Sequence, residues 1–139
     1  VAMLGSTEVE GKKINDLLKE GRISKEKLDQ IVDRTKKGGA EIVKFLEKGS
    51  AFYAPAASGV EMAECYLKNL KKQLPCAVYL NGEYGAKDIY AGVPVIIGSG
   101  GVEKIIELQL SEEEKANFEN SVKVVNELFS AAKKIDPSL

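Results

Sequence analysis

The sequence predicts an α+β fold, with long helices packed on a small, mainly antiparallel sheet of about three strands. Two observations carry that expectation. Apolar residues recur at helical spacing through both ends of the chain, and between residues 75 and 110 the period drops to two. The hairpin that joins two of the strands makes that pair antiparallel. At 139 residues the chain has the length of one domain, so residues 1–139 are read as a single unit.

The first helix is Ile14 to Gly21, "INDLLKEG", closed by its glycine. Ser24 is the candidate N-cap of the second. From there Leu28, Val32, Thr35, Gly39, Ile42 and Leu46 form one stripe, so a single long helix is expected to run through the Gly38-Gly39 pair. Interior glycines cost a helix about 1 kcal/mol each relative to alanine. Close packing of another backbone, a kink or a hinge would each account for them.

An uncharged run, "GSAFYAPAAS", follows from Gly49 to Ser58. Pro55 suits a first helical turn, where its missing N–H costs nothing. The helix it opens is expected to reach about Lys71, with Ala56, Gly59, Val60, Ala63, Leu67 and Leu70 on one side and Glu64 and Lys68 paired on the other. Its first turns are nearly all small residues. They suit close approach of another helix, another subunit or a flat ligand.

Three strands come next. Cys76, Val78 and Leu80 oppose Ala77 and Tyr79; Val93, Val95 and Ile97 share a face; and so do Ile106, Leu108 and Leu110. "GSGG", Gly98 to Gly101, joins the last two as a hairpin turn, without the spacing or the following helix of a phosphate-binding loop. "NGEYGAKDIYAG" between the first two reads as a longer excursion. The final helix begins at Ser111 and Glu114, in capping-box spacing, and carries Phe118, Val122, Val125, Phe129 and Ala132 on its apolar face. Glu112 to Glu114 start that helix, where its dipole favours acids, and no metal site is read into them.

Composition limits function further. Twenty basic and 21 acidic residues give a net charge of −1, which offers nothing to attract nucleic acid or an anionic membrane. No apolar run approaches the ~18 residues of a membrane span and no signal peptide is evident, so the cytoplasm is expected. Cys65 and Cys76 are read as reduced thiols rather than a disulfide. There is no histidine, which removes the commonest acid–base group near neutrality and the commonest metal ligand. No cluster of Tyr, Lys or carboxylate groups replaces it as a reaction centre. The chain also opens on apolar residues with no initiator Met, as a piece of something longer would.

Taken in order, "DRTKKGGAEIVKFLEKGSAFYAPAAS" and "CAVYLNGEYGAKDIYAGVPVIIGSGGVEKIIELQLSEEEKANFENSV" resemble the C-terminal substrate domain of the lactate/malate dehydrogenase family. The form "GSAFYAPAAS" is similar to that of bacterial malate dehydrogenases of lactate-dehydrogenase-like sequence. The resemblance covers nearly the whole chain. It implies a partner Rossmann domain, N-terminal to these residues, that binds NAD and supplies the catalytic histidine and the substrate arginines. A histidine motif just upstream of Val1 agrees with the lack of histidine here, and Arg22 and Arg34 match none of the substrate arginines.

By the same resemblance Ser50 and Ala51 belong to the wall of the substrate pocket and Pro55 lies near the nicotinamide, with Ser58 a further polar contact. No catalytic residue and no metal ligand is expected in this chain. The parent implied is an NAD-dependent malate dehydrogenase, a homo-oligomer acting on malate and oxaloacetate; this chain alone is expected to be inactive and to bind no NAD. The alternative is a free-standing interaction module that kept this domain for docking.

Overall fold

A computed structural model describes residues 2–138. They fall into two compact units, Ala2–Glu61 and the residues from Met62 onward. Among the described residues, four α-helices and a small antiparallel sheet of three strands make up the α+β architecture the sequence predicts.

The first unit opens on a feature that hydrophobic periodicity misses, a two-stranded ribbon of β1 (Glu8–Val9) and β2 (Lys12–Lys13). Its turn places Glu10 and Gly11 both at positive φ, 52° and 77°, the twist that matches antiparallel strands. Both strands are exposed and two residues long, too short for any alternation to register. Helix α1 (Ile14–Lys19) follows and buries Ile14. Helix α2 (Lys25–Leu46) starts on Ser24, whose side chain accepts a hydrogen bond from the Lys27 amide.

Helix α2 runs unbroken through Gly38 and Gly39, as predicted, and a Cβ added at either would meet nothing within 4 Å. Its stripe is covered only at the start. Leu28 is buried and Val32 half-buried, while Ile42 and Leu46 are exposed.

The second unit is built around the sheet, in the order β3 (Lys72–Asn81), β4 (Lys87–Gly98), β5 (Gly101–Ile105), with both pairings antiparallel. Leu74, Cys76, Val78 and Leu80 lie opposite Val95, Val93, Ala91 and Ile89, which sets one apolar face. Cys65 and Phe118 pack into the same core as that face, and Leu80, Val95 and Cys65 are fully buried. On the other face Pro75 pairs with Pro94 and Tyr79 with Tyr90, the two tyrosine rings meeting edge-on at 5.5 Å. Cys65 and Cys76 are reduced thiols, with no disulfide between them, as expected.

Predicted strand boundaries move. The excursion after β3 shrinks to a turn, since β4 already begins at Lys87. The third strand stops at Ile105 rather than Leu110, because its continuation is held by the side chain of Tyr84. That hydroxyl donates to the Ile106 carbonyl at 2.6 Å and accepts the Leu108 amide at 2.9 Å. Ile106, Leu108 and Leu110 keep their alternate half-buried positions, and the Ile106 amide still donates to the Pro94 carbonyl of β4 at 2.8 Å.

Helix α4 (Glu112–Ile135) carries the complete capping box, with Ser111 accepting from the Glu114 amide and Glu114 accepting from the Ser111 amide. Phe118 buries against the sheet and the Tyr84 ring, 5.2 Å away. Farther along, Val125, Leu128 and Phe129 emerge from cover.

Candidate functional site

The segment singled out by its composition starts where α2 is forced to stop. Glu47 takes a positive φ of 59° and Gly49 one of 97°, a conformation in which glycine carries no Cβ penalty. The chain then turns into α3 (Tyr53–Leu67). Pro55 is the third residue of this helix, within the first turn, and the first amide bond made there is from Ala56 to the Phe52 carbonyl at 2.9 Å. Helix α3 ends at Leu67, four residues before the expected Lys71, because Asn69 and Lys71 both adopt φ 50°. The Leu70 amide closes the end by bonding to the Cys65 carbonyl at 3.0 Å.

From Gly49 to Val60 the surface is uncharged. Ala51 is half-buried, and Ser50, Pro55 and Ser58 are exposed with the alanines around them. The structure therefore brings Ser50, Ala51 and Pro55 onto one short stretch at the entry to α3. Two side chains that sequence reading gave no role stand out beside them. Phe52 and Tyr53 stack at 4.7 Å between centroids and are 56% and 80% exposed. Their signal was an aromatic pair among alanines with no covering partner in reach.

Apart from the Tyr53 phenol, no titratable side chain falls within this stretch. The groups whose titration is displaced lie elsewhere and belong to surface pairs. The Arg34 guanidinium, bonded to Glu41 through two nitrogens at 3.0 and 3.1 Å, holds that carboxyl below its ordinary range. Glu64 is lowered in the same way by Lys68. Glu83 is lowered by the Asn81 amide and Asp136 by the Ser138 side chain. Arg34 is thus a surface ion-pair partner.

Among the described residues, no group of three or more His, Cys, Asp or Glu side chains could hold a metal ion. Nor, among the described residues, is any helix long and apolar enough to cross a membrane. What the Gly49–Val60 stretch can do chemically is to form a wall. Short side chains let a planar group lie close, and the absence of charge lowers the local polarity.

Residues 1–135 match the family described as lactate/malate dehydrogenase, alpha/beta C-terminal domain. A malate dehydrogenase of Pelagibacter ubique is 65% identical over 133 residues, 96% of this chain and 42% of that protein. A malate dehydrogenase of Caulobacter vibrioides is 53% identical over all 139 residues, 43% of its own length. The chain thus spans less than half the length of these relatives.

Among solved structures, the malate dehydrogenase of Salinibacter ruber superposes with a TM-score of 0.90 at 39% identity, covering 99% of this chain and 43% of that one. The lactate dehydrogenase of Eimeria maxima, solved with NADH and oxamate, superposes with a TM-score of 0.92 at 40% identity, covering 97% of this chain and 42% of that one. With the order of elements, the sheet and the match over nearly every residue in agreement, the chain belongs to the lactate/malate dehydrogenase family and corresponds to its C-terminal domain.

Proposed function

We propose that this chain serves an NAD-dependent malate dehydrogenase, forming part of the substrate pocket wall and of an oligomer interface, and that it is inactive alone. The observation that carries the reading is the 65% identity to the Pelagibacter malate dehydrogenase over 96% of the chain. A Rossmann domain outside these residues supplies the phosphate-binding loop, the catalytic histidine and the substrate-binding arginines. The cytoplasm is the compartment in which the assembled protein works.

The residues present fit one side of a nicotinamide site. Pro55 and its neighbouring alanines leave an exposed, uncharged surface, and Ser50 and Ala51 precede them on the same strip. A nicotinamide bound there supplies hydride exchange with malate or oxaloacetate. Pro55 restricts the backbone beside the ring, and the short alanines keep the approach close. Ala51 excludes water from the pocket, while the Ser50 hydroxyl offers a neutral polar contact. The strip carries no carboxylate, amine, imidazole or thiol, so the acid–base step falls to the other domain.

The test is complementation. The chain is co-expressed with the N-terminal portion of the Pelagibacter relative, and NADH absorbance is followed with oxaloacetate. Turnover is expected from the pair and from neither part. Ala51→Lys in the pair should lower kcat/KM by about 100-fold or more, since an unpaired ammonium at the pocket wall costs several kcal/mol. Turnover by this chain alone, or a well-formed but inactive complex of the two parts, overturns the reading.

A further inference from the structure

We draw no further inference here: the strongest candidate, the shallow groove on the exposed side of α2 lined by Ile31, Arg34, Thr35, Gly38 and Glu41, carries nothing because no feature of the structure shows what covers it.

Discussion

At the scale of single residues, the second unit is held together by polar side chains that lock backbone turns. A Cβ on Gly98 would lie 2.3 Å from the Glu103 Oε1 and 2.8 Å from the Asn69 Oδ1. Both oxygens are in use, since Asn69 accepts the Ser99 amide at 3.0 Å and Glu103 the Gly100 amide at 3.4 Å. Gly98→Ala must displace both of them, and each hydrogen bond lost costs about 1 kcal/mol. A lowered urea midpoint is expected, with a smaller loss when the same substitution is made in a Glu103→Ala background. Equal losses in both backgrounds would rule out the steric account. Tyr79 offers a second test. Its hydroxyl donates to Asp88 at 2.6 Å, and this bond, followed by burial and the charges of Asp88 and Tyr90, raises the phenol above its ordinary pKa of 10.0. A raised folded value means that the contribution of this bond to stability is complete below pH 10 and fades as pH climbs through the folded pKa. In a titration followed at 295 nm, Tyr79→Phe should remove a late-ionising phenol. Asp88→Asn should bring it back toward pH 10, and no movement in that variant would disprove the assignment.

At the scale of elements, legibility followed length and burial. Helix α4 could be read almost to the residue because Ser111 and Glu114 announce its start and acids and lysines mark its two ends. Strands β3 and β4 were legible through alternation, since one face is buried and a slip of one residue would turn it outward. The ribbon of β1 and β2 was not, because two-residue strands carry no period. Nor was the end of β5, fixed by a tyrosine more than twenty residues upstream. The site was legible in part. Its lack of charge and small side chains were plain in the sequence, whereas the display of Phe52 and Tyr53 depends on the backbone reversal at Glu47 and Gly49. The glycine pair of α2 gives this scale its own prediction. Gly39 sits in an unbroken helix with open space where a Cβ would stand. Gly39→Ala should therefore stabilise the isolated chain by up to about 1 kcal/mol, read by thermal or urea unfolding with helicity followed by circular dichroism. A loss of stability would mean that another backbone does approach this face.

At the scale of the whole molecule, the apolar surface exceeds what either unit can use. Phe45, Tyr53 and Leu67 are 78%, 80% and 79% exposed, and on α4 Leu128 and Ile135 reach 66% and 88%. Single exposed hydrophobic residues are normal on any protein, but the second half of α4 carries several on successive turns, Val124, Val125 and Phe129 among them. The helix is 24 residues long and its apolar stripe runs on from Phe118, although among its apolar side chains only Phe118 is buried, and Val122 packs partly buried against the same core. The part of the stripe left uncovered beyond Val122 exposes apolar area at a cost of roughly 25 cal/mol per Å², which association relieves. Concentration-dependent self-association is expected in light scattering. Leu128→Lys with Ile135→Lys, two helical turns apart on one side, should weaken it. Their own stability effect should stay within about 0.5 kcal/mol, because neither side chain is packed in the fold. If the unsubstituted chain stays monomeric at millimolar concentration, the exposed stripe of α4 has no drive to association, and its apolar side chains need another explanation.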